Sequence, residues 1–197
     1  ALHLNQRVTD IAYDQHGVTV TTDRDTFRAD RAVVTLPLGV LKQKVVRFAP
    51  LLPAAKVAAI ESLGMGLLNK LYLRFPTPFW PTTYDWLTYL ALEKGQWSEW
   101  LSLYRPTQKP ILLGFTAAAF GRTIEQWSDE KLVNSAMSTL HTIFGRQIPA
   151  PTAWQITRWA SDPFAYGSYS FYKVGSTPDS RTALAAPVAG RLFFAGE

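Results

Sequence analysis

The first 41 residues place apolar and polar positions in short runs rich in Val and Thr, which predicts strands. The segments RVTDIAYD and GVTVTTD flank His16 and Gly17, so this pair is predicted to form the turn of a β-hairpin. The later stretch AVVTL is apolar apart from Thr35, a pattern typical of a buried strand. Pro37 ends that strand, because proline has no N–H to donate to a sheet.

Two later segments have the composition and spacing of helices. In LPAAKVAAIESLGMG, Pro53 suits a first turn, Ala and Leu dominate, and Gly64 is predicted to cap the C-terminus. In SDEKLVNSAMSTLHTIFG, Ser128 is a good N-cap, acidic residues occupy the first turn, and Gly145 follows the last apolar position. Both segments are therefore predicted to be helical.

Strands are predicted on either side of these helices. The segment KPILLGFTAAAF is a long apolar run, typical of a buried strand. The segment NKLYLRF alternates strictly between apolar and polar residues. One face of that strand would carry Leu71, Leu73 and Phe75, and the other Lys70, Tyr72 and Arg74.

The last 43 residues mix short strands, turns and a short helix. A strand leads to Trp159, the residues SDP interrupt it, and Gly167 permits a tight turn before a second strand at 168–172. A short helix is predicted near residues 180–185, and RLFFAG is predicted to be the closing strand. Taken with the earlier elements, the chain is predicted to be a mixed α/β (α+β) protein.

Composition narrows the class without deciding the function. With 47% hydrophobic and 18% charged residues the chain is globular, and no apolar run approaches the ~20 residues of a membrane helix. The net charge of +5 is scattered, so a solvated surface is preferred to a nucleic-acid patch. The absence of cysteine excludes disulfides, thiolate metal sites and a Cys nucleophile, but it does not fix the compartment.

Three familiar kinds of site are not supported by the sequence. The segment GMGLLN follows a helix and opens a strand, whereas a dinucleotide-binding loop follows a strand and opens a helix. His3, His16 and His141 are far apart in sequence and His141 has no ligand-type partner at i+4, so we expect no metal site. The chain also lacks the G-x-S-x-G elbow of a serine hydrolase.

A few residues stand out but have ordinary explanations when taken alone. Lys70 lies in a largely apolar strand, where a lysine usually extends its amine to solvent. Trp159 and Tyr169 are as well explained by a hydrophobic core as by a binding pocket, and Glu197 as a surface acid. From pattern alone, the sequence supports an α/β domain with an aromatic pocket.

Five segments in collinear order resemble one family. These are ADRAVVTLPLGVLKQ, LPAAKVAAIESLGMGLLNKLYLRF, FW, RWASDPFAYGSYSF and RLFFAGE, and together they span most of the chain. They resemble the flavin-containing amine oxidases, and TLPLGVLK, LNK and GSYS are most similar to the branch of polyamine oxidases and flavin-type histone lysine demethylases. The order of the five segments makes the resemblance specific, although each segment alone is weak.

The resemblance implies FAD as cofactor and assigns roles to matching positions. Lys70 matches the lysine that holds a water against flavin N5. Trp159 matches a tryptophan beside the isoalloxazine ring, in contact with both cofactor and substrate, and Tyr169 matches an aromatic wall around the substrate nitrogen. The remaining positions match cofactor contacts: Val8, Thr35, Leu36, Pro37, Gly196 and Glu197.

The chemistry implied by the resemblance is oxidation of an amine by FAD with oxygen as the final acceptor. The cofactor carries the redox chemistry, so the protein has to position a neutral amine over the flavin ring. Flat aromatic side chains can do this without supplying an acid that would keep the amine protonated. The resemblance therefore implies a small-molecule amine substrate and oxygen as partners.

The resemblance also implies a two-domain organisation. Residues 1–42 and 155–197 would form part of an FAD-binding domain, and residues 43–154 the substrate-binding domain. The family's G-x-G-x-x-G fingerprint has no counterpart here, nor does the helix that follows its Gly-Glu pair. We therefore expect the isolated chain to be inactive, to bind FAD poorly, and to expose core surface that a homo-oligomer could cover.

Two other functions stay open at this point. A relative that oxidises amino acids, porphyrinogens or carotenoid precursors would share the cofactor but not the substrate. A non-catalytic protein-binding fragment would share only the fold. The sequence does not separate these from a polyamine-like oxidase, since substrate-selecting acids of the family lie partly outside the matched segments.

Overall fold

Residues 1–196 of the chain are described by a computed structural model, and they form two compact units. The first unit combines residues 1–65 with the segment that begins at Pro163, and the second contains residues 66–162. These divisions fall later along the chain than the boundaries predicted at 42/43 and 154/155. The binding role of each unit stays a prediction.

The described residues contain thirteen strands and six helices. In chain order they are β1 (Val8–Tyr13), β2 (Val18–Thr22), β3 (Thr26–Ala29), β4 (Ala32–Val34), α1 (Leu38–Gln43), β5 (Arg47–Ala49), α2 (Ala54–Ser62), β6 (Gly64–Gly66), β7 (Leu68–Arg74), β8 (Trp86–Thr88), β9 (Glu99–Ser102), α3 (Tyr104–Thr107), β10 (Ile111–Ala117), α4 (Ala118–Ile124), α5 (Asp129–Phe144), β11 (Ala153–Ile156), β12 (Tyr169–Phe171), α6 (Pro178–Ala185) and β13 (Leu192–Phe194). The mixed α/β content matches the fold class predicted from the sequence.

The first unit contains a four-stranded sheet in the order β3-β2-β1-β5. The predicted hairpin is present: β1 and β2 pair antiparallel, and the Asp14 side chain accepts hydrogen bonds from the backbone N–H groups of His16 and Gly17. Gly17 is required at this turn by close packing, because a Cβ there would lie 2.7 Å from the carbonyl oxygen of Ala29.

A parallel pair of strands, β4 and β13, lies in the same unit. Val34 faces the core, but Val33 is 63% exposed, so the prediction that AVVTL is buried was wrong. The reason is that β4 has one partner strand in the described residues and its side chains alternate between faces, which leaves Val33 on the open face. The following helix, α1, was not predicted.

Helix α2 begins after Pro53, as predicted, but the predicted glycine cap was wrong. The helix ends at Ser62, Leu63 is extended, and Gly64 belongs to β6. Gly64 instead allows close packing, since a Cβ at this position would lie 2.3 Å from the ring of Phe171.

A lysine takes the role that the glycine was expected to have. Lys42 donates from Nζ to the carbonyl oxygens of Ile60, Glu61 and Leu63, at 2.7, 3.1 and 2.8 Å. These are carbonyls at the end of α2, where a cation also interacts favourably with the helix dipole. The helix end is therefore satisfied by a side chain from α1.

The second unit contains a five-stranded antiparallel sheet in the order β11-β7-β10-β9-β8. Burial alternates along β7 as predicted, with Leu71 and Leu73 inside. The predicted helix is α5, with Ser128 accepting from the Lys131 N–H at its start and Gly145 at its end. One face of the sheet and this helix enclose the core, whose fully buried members include Phe75, Trp97, Trp100, Leu112 and Leu140.

Candidate functional site

Lys70 lies in the middle of the five-stranded sheet, on the face opposite the core. It is half-buried and sits in β7 between β10 and β11, directly across from Phe115. Its neighbours in sequence, Asn69 and Leu71, are buried on the other face. Because side chains alternate between the two faces of a strand, the two flanking residues point into the core and Lys70 points away from it.

The face that carries Lys70 is rich in aromatic side chains. Phe115 stacks on Trp86 with ring centroids 5.6 Å apart and an interplanar angle of 17°. Trp86 is 58% exposed, and Tyr72 on β7 is half-buried. Exposed aromatic rings of this kind can bind a flat or cationic ligand.

Trp159 is joined to this strand through backbone contacts. After β11, the Thr157 N–H donates to the Lys70 carbonyl at 3.0 Å, and the Lys70 N–H donates to Thr157 Oγ1 at 2.8 Å. Two residues later the Trp159 N–H donates to the side-chain oxygen of Asn69 at 3.0 Å. The second unit therefore brings together the two predicted site residues Lys70 and Trp159.

A buried polar cluster supports this junction, and the sequence analysis missed it. Asn69 and Glu125 are each 5% exposed, and the Asn69 amide donates to Glu125 Oε2 at 2.9 Å. The other carboxylate oxygen, Oε1, accepts from the Ser161 N–H at 2.8 Å. The available signal was a polar residue, Asn69, at an inward position of a strand whose other inward positions are leucines.

Arg158 ties the same loop to the start of α5. Its guanidinium donates to the carbonyl oxygens of Glu125 and of Trp127, the latter at 2.9 Å, and to the Asp129 carboxylate at 2.7 Å. The loop that carries Trp159 is thereby fixed on two sides, by β7 and by the N-terminal turn of α5.

The predicted cofactor residues of the first unit gather at the carboxyl ends of two parallel strands. Val34 of β4 pairs with Phe194 of β13, so Thr35 and Gly196 follow the ends of adjacent strands. Gly196 has φ +115°, and a Cβ there would lie 3.8 Å from the Thr35 carbonyl oxygen. Leu36 and Gly196 line one cavity.

The remaining predicted residues lie elsewhere in the first unit or outside the described residues. Val8 is the first residue of β1 and packs against the same core cluster as Leu36, while Pro37 precedes α1. Tyr169 is in β12, which pairs with β6, and is 42% exposed. Glu197 lies outside the described residues.

The sequence analysis also missed a buried lysine, Lys56. Its side chain is 2% exposed, and Nζ donates to the carbonyl oxygens of Ala183 and Leu184 at 3.2 and 2.5 Å, in the last turn of α6. Nζ also lies 3.8 Å from the centroid of the Phe194 ring. Burial lowers the pKa of Lys56 from 10.5 to about 8.

Two negative findings complete the description of residues 1–196. No cluster of three or more His, Cys, Asp or Glu side chains has a geometry that could hold a metal ion. No helix in this part of the chain is long and apolar enough to cross a membrane.

Comparison with known proteins decides the family. The family model for flavin containing amine oxidoreductases matches residues 1–197. The chain belongs to this family. The resemblance identified from the five segments is thus confirmed.

Relatives of this amine oxidoreductase chain include two rice proteins from Oryza sativa subsp. japonica. It is 41% identical to lysine-specific histone demethylase 1 homolog 1 over 198 residues, which cover 98% of this chain and 23% of that protein. It is 40% identical to polyamine oxidase 4 over 197 residues, all of this chain and 40% of that protein. The chain therefore spans well under half the length of either relative.

Solved structures share the fold of this amine oxidoreductase chain. A wild-type putrescine oxidase bound to putrescine has a TM-score of 0.83 at 19% identity, covering 98% of this chain and 43% of that one. Cyclohexylamine oxidase from Brevibacterium oxydans IH-35A has a TM-score of 0.79 at 24% identity, covering 96% and 42%. At these identities the two structures support the fold alone, which agrees with the predicted fold class.

Proposed function

We propose that the protein carrying this chain is an FAD-dependent oxidase of polyamine-like amines. The observation that carries the proposal is the junction of Lys70 with the Trp159 loop in a chain of the amine oxidoreductase family. A hydrogen-bonding lysine on a strand and a flat aromatic residue nearby are what the chemistry requires beside a flavin ring. Two of the proteins similar to this chain are named polyamine oxidases.

The residues of the first unit fit one edge of FAD. In open α/β sheets, cofactors bind outside the carboxyl ends of parallel strands, which is the location of Thr35, Leu36, Pro37 and Gly196. The positive φ of Gly196, +115°, is a backbone conformation that favours glycine, and it turns the chain directly after β13. We assign cofactor binding to these residues, to Val8 and to Glu197, and to the first unit as a domain.

FAD, when bound, would supply the redox chemistry: the amine would lose a hydride equivalent from the carbon beside its nitrogen and a proton from the nitrogen, leaving an imine, and the two electrons and two protons would reach oxygen as hydrogen peroxide. Water then adds to the imine, and the products are an aldehyde and a shorter amine. We assign the Lys70 amine the role of holding, by a hydrogen bond, a water beside the flavin that would assist either this hydrolysis or the reoxidation of the flavin. Trp159 and Tyr169 would orient the neutral amine, and the second unit would bind the substrate.

The first experiment tests cofactor and reaction together in the protein at its natural length. Purified protein should carry flavin, seen as visible absorbance, and should release peroxide from spermine or spermidine. Flavin without peroxide from any amine would favour a non-catalytic binding protein. Peroxide from amino acids alone, or from a methylated-lysine peptide alone, would reject the polyamine assignment and keep the oxidase.

The chain expressed by itself supplies a second test. We expect it to bind little FAD, because the fingerprint that cradles the pyrophosphate of FAD is not within these 197 residues. A stoichiometric yellow complex of the isolated chain would contradict this expectation and would place the main binding determinants in the segments described above.

The role of Lys70 is tested by Lys70→Met in the complete protein. This change keeps the length of the side chain but removes its donor, so kcat should fall about tenfold to a hundredfold while flavin stays bound. The matched control is Lys109→Met, at an exposed lysine that precedes β10 in the same unit. Equal turnover in the two variants would reject the role given to Lys70.

A further inference from the structure

The Asn69 side chain has a single orientation that satisfies all its neighbours. Its oxygen faces the Trp159 N–H, which can only donate, and its amide faces the Glu125 carboxylate, which can only accept when ionised. Thr157 adds a contact of 3.3 Å from Oγ1 to the same Asn69 oxygen. An exchange of the amide oxygen and nitrogen would therefore lose both strong contacts.

We propose that Asn69 and Glu125 are positioning residues that set the distance between Lys70 and Trp159. The proposal rests on the proposed function, since the value of that distance lies in aligning an amine with a flavin. Neither side chain needs to touch substrate or cofactor, because both are buried on the core side of β7. They would act through the backbone N–H groups that they hold, those of Trp159 and Ser161.

The geometry favours a local effect on the loop. Asn69 precedes Lys70 on the strand, and the Asn69 side chain accepts from the Trp159 N–H. The Glu125 side chain accepts from the N–H of Ser161, two residues after Trp159. Two anchors on alternate residues fix the direction of the loop as well as its distance. Small displacements of reacting groups reduce rates strongly, so this arrangement should matter for turnover as well as for stability.

The arrangement is also built from parts far apart in sequence. Trp159 is 90 residues from Asn69, and Ser161 is 36 residues from Glu125. Glu125 follows α4 and lies just before the helix that Arg158 contacts. The pair therefore connects the sheet, the end of α4 and the loop that carries Trp159.

An exchange of donor and acceptor tests the pair directly. Asn69→Asp opposes two carboxylates, and Glu125→Gln opposes two amide donors or loses the Ser161 contact, so each single change should disturb the loop. The double variant Asn69→Asp with Glu125→Gln restores every contact, since the new carboxylate accepts from Trp159 N–H and from the new amide. The oxygen of the new amide at position 125 then accepts from the Ser161 N–H.

Two readouts are needed, both in the complete protein. At saturating amine each single variant should lose about tenfold or more in kcat with unchanged flavin content, and the double variant should recover most of the loss. By hydrogen exchange, the amides of Trp159 and Ser161 should exchange faster in the single variants and return to wild-type rates in the double variant, while amides in the middle of α5 stay protected.

The matched control is Ser102→Ala, which removes a buried hydrogen bond of 2.9 Å from Trp80 Nε1 in the same unit. It should reduce stability without the loss of turnover or the local exchange. Turnover that falls equally in this control, or uniform loss of protection across α5, would show a structural role and overturn the proposal. Single variants with wild-type turnover and exchange would also overturn it.

The remaining outcomes are equally decisive. Should the single variants not fold, an active double variant supports the pair and a folded, inactive one rejects it. Should no variant fold, the pair is required for folding itself, and the proposal is rejected. A wild-type protein without flavin refutes the proposed function, whereas the exchange measurements still test the pair.

Discussion

The two units each bury one charged side chain, and they satisfy it in different ways. Among residues 1–196, the buried charged residues are Glu125 in the second unit and Lys56 in the first, at 5% and 2% exposure. Glu125 accepts hydrogen bonds from an amide side chain and a backbone N–H. Lys56 donates to two carbonyls at a helix end and lies over an aromatic ring.

The difference shows what a buried charge needs. The partners of Glu125 are firm hydrogen-bond donors attached to a loop and a strand, so the carboxylate connects parts of the unit. The partners of Lys56 compensate less completely, and burial lowers its pKa to about 8. Removing Glu125 and removing Lys56 should therefore change the stability of the protein in different ways.

The largest effect is expected for Glu125→Leu. This change leaves the buried Asn69 amide without an acceptor and removes the acceptor of the Ser161 N–H, which should lower the free energy of unfolding by about 3 kcal/mol. Urea unfolding at pH 7 measures it. The control Glu130→Leu, at an exposed position of α5, should change stability by less than about 0.5 kcal/mol. Equal losses in both variants would contradict the comparison.

A smaller effect, with a distinct pH dependence, is expected for Lys56. Its pKa is about 8 in the folded state and 10.5 ordinarily, so between these values the unfolded state binds more protons and stability rises with pH. The stability of the wild type relative to Lys56→Met should thus increase by about 2 kcal/mol between pH 7.5 and pH 10. A pH-independent difference would mean that Lys56 is not held in a desolvated site.

The smallest effect concerns the aromatic partner of that lysine. Phe194→Leu keeps an apolar side chain but removes the ring 3.8 Å from Nζ, so we expect a loss of about 1 kcal/mol beyond the change in packing. Thermal unfolding of both single variants and of the double variant with Lys56→Met gives the coupling between them. Additive effects would show that the ring packs against the lysine without stabilising its charge.

The sequence predicted elements with strong local signals and missed contacts between distant segments. The alternation around Leu71 and Leu73 and the cap at Ser128 were correct, because periodicity and caps act within a few residues. The exposed face of Val33 was not predictable in the same way, since it depends on which strands flank β4. The cap of α2 failed for a similar reason, because its donor, Lys42, comes from another helix.

The candidate site likewise has a part that the sequence predicted and a part that it did not. The resemblance supplied Lys70 and Trp159, and the structure joins them within one unit. Nothing local marks Glu125 as their support, because an acid after a helix usually faces solvent. The inward position of Asn69 was a usable signal, since a polar residue in a row of leucines requires a buried partner.

The Asn69–Trp159 contact also sets a rule for recombination between relatives. A chimera that takes β7 from one parent and the segment after β11 from another separates residues whose contact spans 90 positions. Crossovers at 65/66 and 162/163, the limits of the second unit, would inherit Asn69, Glu125 and the loop from a single parent. On the proposed role of the second unit in binding the substrate, such a block would carry substrate preference with its internal alignment already matched.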